Sequence, residues 1–226
     1  MIRYELITRE RYIAVADFLV NDFFVNEPFG LALGLTLDQV RRWFADFLSH
    51  ILDTSDPVSY VALDSNKDDK IVGAIINLIA DPEKEGPRSM KTFLDPDKEP
   101  IKIQIATFLE DLEDGLDIYA AMGQPSSSKI HACLFLSVAD GYGGQGIAKE
   151  LVANGERAAK AITGVTIAMT DVTSAYSYKV YLKLGYKMIK EVEYMSYQGH
   201  DGVYIFKGKE KELGVHTHAR VVAKLL

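Results

Sequence analysis

The chain has 226 residues, 48% hydrophobic and 25% charged, with a formal net charge of -7, so it can bury a substantial core and has an ordinary globular composition. No segment reaches the roughly 18–20 uninterrupted apolar residues of a membrane helix, and a pI near 5.3 excludes the general basic surface that nucleic-acid binding rests on. The charged start "MIRYELITRERY" lacks the pattern of a secretory signal, and the single Cys133 excludes an internal disulfide framework. The protein reads as cytoplasmic, with no nucleic-acid or membrane partner, and the sequence does not decide its oligomeric state between monomer and weak dimer.

"IRYELI" alternates as a short half-buried strand. From Thr8 the pattern turns helical through Tyr12, Val15, Leu19 and Phe23, and it stops at "NEPFG", where Pro28 disfavours helix for Glu27. Thr36 and Gln39 have capping-box spacing for a second helix, with Val40, Phe44, Phe47 and Ile51 as its apolar stripe. "VSYVAL" and "KIVGAIINLIA" follow as a hairpin around the polar turn "DSNKDD". Residues 81–100 form a polar, exposed connection, and a long helix is expected over 103–122 with a weak point at Gly115. The second half reads strand 130–138, glycine turn, helix 146–162, strand 164–170, helix 174–184, strand 186–197, and a closing strand 202–207. The whole is one α/β domain over 1–226.

The glycine turn "DGYGGQGIA" carries the chemical signal. Gly141, Gly143 and Gly146 match G-x-G-x-x-G after an apolar strand, and Asp171 ends the next strand where a ribose-binding acid is expected. A nicotinamide-dependent oxidoreductase is therefore one reading. Against it, a hairpin rather than a βαβ series precedes the turn, and only residues 172–226 remain for further strands. A P-loop is excluded, because no Gly-Lys-Ser/Thr follows. Four bare glycines opening a helix still suit an anion, through free backbone N–H groups and the local dipole.

Two stretches together resemble the GNAT superfamily of N-acetyltransferases. "LSVADGYGGQGIAKEL" supplies Val138, Gly144, Gly146 and Ala148 of the acetyl-CoA signature, and "SYKVYLKLGY" supplies Ser177, Tyr181, Gly185 and Tyr186 of the later one. "FFVNEPFG" and "TSAYSYKVYLKLGY" are most similar to the insect-type arylalkylamine N-acetyltransferases. The resemblance implies a central mixed, mostly antiparallel twisted sheet of about six to seven strands flanked by helices. It implies acetyl-CoA as co-substrate, no metal, and a small-molecule primary amine, an arylalkylamine, as acceptor. Leu136, Val138, Gly143, Gly144, Gly146, Ile147, Ala148, Ser177 and Tyr181 would line the cofactor site. Gly143 stands where the family has Arg or Gln, so one side-chain contact to phosphate is missing. That departure keeps open a catalytically weakened CoA-binding module.

The same resemblance makes Glu27 the general base and Tyr181 a donor to the leaving thiolate, with Ser177 a third catalytic candidate. Among Phe23, Phe24 and Phe29, a carboxyl would have its pKa pushed upward, towards that of a useful base. Each residue has a plainer reading. Glu27 also suits a helix end, Tyr181 belongs to a stripe with Val180 and Leu184, and Ser174 and Ser177 suit a helix cap. Strict alternation puts His131 on the face opposite Val138, as a hydrogen-bonded structural residue. Cys133 reads as packing, and His216 and His218 as a tail feature rather than metal ligands.

Overall fold

The computed structural model describes residues 1–84 and 90–226; residues 85–89, within the polar connection expected over 81–100, lie outside the described residues. β1 (Ile2–Leu6) pairs antiparallel with β2 (Tyr60–Asp64), and β2 with β3 (Lys70–Ala80), the hairpin expected from its polar turn. β3 pairs antiparallel with β4 (Lys129–Val138), and β4 runs parallel to β5 (Val165–Val172). β6 (Lys187–Glu193) forms the far edge, joined to β5 through β7 (His218–Leu225), which is antiparallel to both. The sheet order is β1-β2-β3-β4-β5-β7-β6. This mixed, mostly antiparallel seven-stranded sheet is not the doubly wound parallel sheet that a dinucleotide fingerprint serves.

Helices cover both faces. On one face α1 (Tyr12–Asn26) and α3 (Leu37–Thr54) bury Val15, Leu19, Phe44 and Leu48 against Leu63 and Ile76. The capping box of α3 forms as its spacing predicts, with Gln39 Oε1 accepting from the Thr36 N–H at 2.9 Å. Beside them α2 (Pro28–Leu33), α4 (Pro100–Glu113) and α8 (Glu210–Leu213) close an aromatic core of Phe29, Phe108, Tyr194 and Phe206 over Val221. On the opposite face α6 (Ile147–Lys160) and α7 (Ala175–Lys183) pack Leu151, Val152 and Tyr181 over Ala62, Ile75, Cys133 and Val222.

The long helix expected over 103–122 is two. α4 ends at Glu113, Gly115 turns at φ 69°, and α5 (Ile118–Met122) restarts with Asp117 capping the Ala120 N–H. That φ is open to glycine at little cost. The expected closing strand is also displaced. Residues 194–196 form a 3-10 turn, and 202–207 contribute only the Gln198–Tyr204 bridge. The "VYIF" alternation there drives Phe206 into the aromatic core rather than into a ladder. The last strand is β7, whose Ala219, Val221, Val222 and Ala223 are all fully buried. A strand covered on both faces reads as a continuous apolar run, and His216 before it and His218 at its first position disguised it.

β4 departs from simple alternation. Phe135 pairs with Ile76 and Cys133 with Asn77, leaving Leu134 as the extra residue of a bulge. Ala132, Leu134 and Phe135 therefore all join the α1/α3 core, whereas Cys133, Leu136 and Val138 join the α6/α7 core. His131 consequently shares a face with Val138, contrary to the alternation expected from sequence, and lies beneath α6 near Gly155. It is 2% exposed, and among the described residues neither ring nitrogen has a hydrogen-bond partner, so the hydrogen bonds expected to satisfy it are not found there. Burial lowers its pKa from 6.5 to about 4.

Two stability outcomes follow from this cluster. A Cβ at Gly155 would stand 2.6 Å from Asn77 Nδ2, so Gly155→Ala is expected to cost roughly 1–3 kcal/mol, read as a lower urea midpoint. Because the folded-state pKa of His131 is depressed, the stability it contributes is present above pH 6.5 and is lost as pH falls towards 4. The loss approaches roughly 3 kcal/mol. In His131→Leu the difference between urea midpoints at pH 7 and pH 4.5 should shrink accordingly.

Candidate active site

The site begins where β4 and β5 part. Their pairing runs from Lys129–Val165 to Cys133–Thr170, where the Thr170 hydroxyl donates to the Cys133 carbonyl at 2.9 Å. Beyond it β4 stays on β3 as far as Val138, and β5 stays on β7 as far as Val172. Each strand is held by its outer neighbour, so a wedge opens between them with backbone polar groups lacking a ladder partner. A cavity of about 650 Å³ occupies this wedge. Its lining comes from both faces: Phe23, Phe24 and Phe135 on the α1 side, and Ala148, Ser177 and Tyr181 on the α6/α7 side.

At the wedge mouth the glycine turn leads into α6. Gly141, Gly144 and Gly146 have φ of 84°, 74° and 81°, values that only glycine adopts cheaply. Gly146 is the N-cap of α6 and no side chain caps the helix. The first N–H groups of such a helix have no intrahelical acceptor. Among the described residues, chain neighbours aside, no atom lies within 4 Å of a Cβ built at Gly141, Gly143, Gly144 or Gly146, so the loop is an open cradle beside free donors. Ile147 directs its side chain into the core, 2% exposed, and offers the cradle only its backbone. Leu136 and Val138 line the cavity on the length of β4 that β5 no longer pairs. An extended arm joined to a pyrophosphate fits these features, and acetyl-CoA carries both.

Glu27 sits where α1 stops and α2 starts. It is the N-cap of α2, with Pro28 in the first turn, where its missing N–H costs nothing. Its Oε2 accepts from the Gly30 N–H at 2.5 Å, and its Oε1 accepts from the Phe29 N–H at 3.1 Å and the Thr173 hydroxyl at 2.8 Å. Burial pushes its carboxyl above the ordinary carboxylate pKa, against the three hydrogen bonds that pull it down. The side chain lines the cavity. The helix-end and cavity readings of Glu27 are thus both true of one carboxyl.

Tyr181 is 2% exposed and donates its hydroxyl to Cys133 Sγ at 3.0 Å, across the apex of the wedge. Burial raises its pKa well above that of free tyrosine, and the Cys133 thiol is pushed up to about 11. Both groups therefore hold their protons at neutral pH. Ser174 caps α7 by accepting from the Tyr176 N–H at 3.1 Å, and Ser177 donates to the Ser174 carbonyl at the same distance while lining the cavity. His216 accepts the Ala175 N–H at its Nδ1, 3.0 Å away, and His218 opens β7. Among the described residues no group of three or more His, Cys, Asp or Glu is gathered as a metal site.

Three cavity residues had no such role in the sequence reading. Thr173 fixes Glu27 from β5's end, and only its position just before the Ser174 cap hinted at it. Glu113 and Asp171 line the same cavity, and burial raises the pKa of both carboxyls, with the proximity of Glu113 adding to the shift at Asp171. Asp171, weighed above as a ribose-binding acid, faces α4 instead.

Among the described residues no helix is long and apolar enough to cross a membrane. No curated protein matches the chain in sequence. Among solved structures, arylalkylamine N-acetyltransferase 2 from Aedes aegypti has a similar fold at 24% identity and a TM-score of 0.78, over 99% of this chain and 98% of that one. A polyamine N-acetyltransferase from Drosophila melanogaster aligns at 17% identity and a TM-score of 0.74, over 100% of both chains. NAA60 of Arabidopsis thaliana, solved with acetyl-CoA, aligns at 12% identity and a TM-score of 0.57, over 100% and 99%. The model of the acetyltransferase (GNAT) family matches residues 19–186. With the wedge, the cradle and the sheet order already in place, that match identifies the chain as a member of the acetyltransferase (GNAT) family.

Proposed function

We propose that the protein transfers the acetyl group of acetyl-CoA to a primary amine with an arylalkyl body, using Glu27 as the base. The observation that carries this reading is the Glu27 carboxyl, raised in pKa by burial and exposed to an aromatic-lined cavity that reaches the wedge between β4 and β5. When bound, acetyl-CoA supplies an activated acetyl thioester. The residues that would hold it are Leu136 and Val138 along the strand, Gly143, Gly144, Gly146, Ile147 and Ala148 at the cradle, and Ser177 and Tyr181 across from them. The chemistry calls for no metal, and we read residues 1–226 as one domain working in the cytoplasm.

An alkylamine is an ammonium ion at neutral pH, with a pKa near lysine's of about 10.4. Its lone pair must be freed before it can attack, and Glu27, directly or through water, takes that proton. Thr173 and the Phe29 and Gly30 amides hold the carboxylate in one orientation. The backbone N–H near Val138 is the donor for developing negative charge on oxygen. The Tyr181 hydroxyl retains a proton for the departing sulfur.

Gly143 favours a second reading, a CoA-binding module with weakened catalysis, because it removes the expected cationic or amide side chain. Incubation with acetyl-CoA and a panel of amines, following free thiol, separates the two. Amine-dependent thiol release is the expected result. Tight CoA binding without release under any amine would support the weakened module.

Replacing Glu27 by Gln keeps an oxygen to cap α2 but removes the base. Turnover should drop by roughly 10²–10⁴-fold, and the rise of kcat/KM with pH through the Glu27 pKa should disappear. A raised folded-state pKa also means that stability tied to the protonated carboxyl is lost as pH climbs through that pKa. Glu27→Gln should therefore be at least as stable as the parent at pH 7 by urea titration. At Gly143 neither backbone conformation nor space opposes a side chain. Gly143→Arg should fold normally and tighten acetyl-CoA binding roughly tenfold, as one charge-assisted hydrogen bond can, measured by calorimetry.

A further inference from the structure

The chemistry assigned so far leaves one side chain of the glycine turn without a role. Tyr142 stands between Gly141 and Gly143 and is half-buried, whereas Gly141, Gly143, Gly144, Gln145 and Gly146 around it are exposed. Its ring packs against the α6/α7 core. Its hydroxyl donates to Oδ2 of the buried Asp64, the last residue of β2, at 2.8 Å. The Lys67 ammonium, from the turn between β2 and β3, sits 5.1 Å from the ring centroid. The turn before α6 is thus tied to a hairpin 78 positions earlier in the chain.

Among the described residues this is the one side-chain hydrogen bond from residues 140–146 that reaches outside the turn. The other bonds close on the turn itself. The Tyr142 N–H donates to the Ala139 carbonyl at 3.0 Å, and Gln145 Nε2 donates to the Gly141 carbonyl at 3.3 Å. The hairpin does not depend on Tyr142 for its shape, because Asp64 Oδ1 accepts the Asn66 N–H at 3.0 Å and so caps the hairpin turn by itself. The oxygen given to Tyr142 therefore serves the glycine turn.

Glycine loses more conformational freedom on ordering than any other residue, and the turn is built largely of it. A turn left free would have to be ordered by its ligand, and that cost subtracts from affinity. A turn pinned at its centre meets the pyrophosphate with its N–H groups already in place. The pin matters more in this chain because Gly143 supplies no side chain to the phosphates, so the backbone donors carry the contact.

We propose that Tyr142 is a positioning residue for the acetyl donor: its hydroxyl on Asp64 holds the glycine turn in the shape that receives the pyrophosphate. The proposal rests on the acetyl-CoA reading of the cradle and deepens it. The Tyr142 side chain points to the hairpin, so it acts through the backbone N–H groups of its neighbours. Its effect falls on donor binding and leaves the chemistry at Glu27 alone.

The test is calorimetric titration of the full chain with acetyl-CoA, with steady-state kinetics and urea unfolding of the same proteins. Tyr142→Phe keeps the ring and its packing and removes only the hydroxyl. Its Kd and KM for acetyl-CoA should rise roughly tenfold, the scale of one hydrogen bond to a charged group. Its kcat at saturating acetyl-CoA and its KM for the amine should not change. A purely structural tie would lower the urea midpoint and leave Kd where it was, and that result overturns the proposal. Asp64→Ala should weaken binding at least as much, and adding Tyr142→Phe to it should weaken binding no further, since the two groups form one contact. A further loss of the same size in the double variant overturns the proposal, because the hydroxyl would then act elsewhere. No binding of acetyl-CoA by the parent protein overturns the cofactor reading and the anchor with it. Parent binding that Tyr142→Phe matches overturns the anchor alone, and this comparison decides the matter even if Asp64→Ala fails to fold.

Discussion

The cavity of this molecule depends on the separation of two parallel strands after the Cys133–Thr170 pair. The strands can part because each has an antiparallel partner on its outer side, β3 for β4 and β7 for β5. Losing the central ladder leaves polar backbone edges that would be costly in a sealed interior, and the cavity keeps them open to ligand or water. The Thr170 hydroxyl closes the apex, and Tyr181 spans it to Cys133. The wedge is thus built into the sheet rather than carved between loops, and a site on strands is positioned more rigidly than a site on loops.

The helices then divide the work. α6 brings free N–H groups and an open glycine cradle to one end of the wedge, an arrangement suited to anionic phosphate. α1, α2 and α4 bring carboxyls and aromatic rings to the other end, an arrangement suited to a cation with an apolar body. The two environments have opposite electrical character and meet only at the wedge. Glu27 lies at the second of these ends, and hydrogen bonds from the Phe29 and Gly30 amides and the Thr173 hydroxyl hold its carboxyl in one orientation.

Much of this was legible in the residues themselves. The glycines at 141, 144 and 146, the Thr36 capping box and the Ser174 cap are local devices, and local devices survive into the fold unchanged. What escaped the sequence was set at long range. β7 hides behind His216 and His218, and its place between β5 and β6 is decided by burial on both faces. Asp171 and Glu113 are 58 positions apart by their numbering, and only the packing of α4 on the sheet brings them together. Thr173 looked like a residue beside a cap, because its partner lies at the end of α1. His131 was assigned its face by counting in twos, which the bulge at Leu134 defeats.

That bulge gives β4 two different readings along its length. Upstream of it the even-numbered residues Ala132 and Leu134 face the α1/α3 core; downstream the odd-numbered Phe135 does, while Leu136 and Val138 turn to the α6/α7 core. A single unpaired residue therefore acts as a phase switch between two compartments served by one strand. Chains of this kind that differ by one residue at this point would not differ by a small gap. They would exchange the side chains facing the α1/α3 core with those facing the α6/α7 core, so the count of residues from the apex to the glycine turn sets which side chains line the wedge.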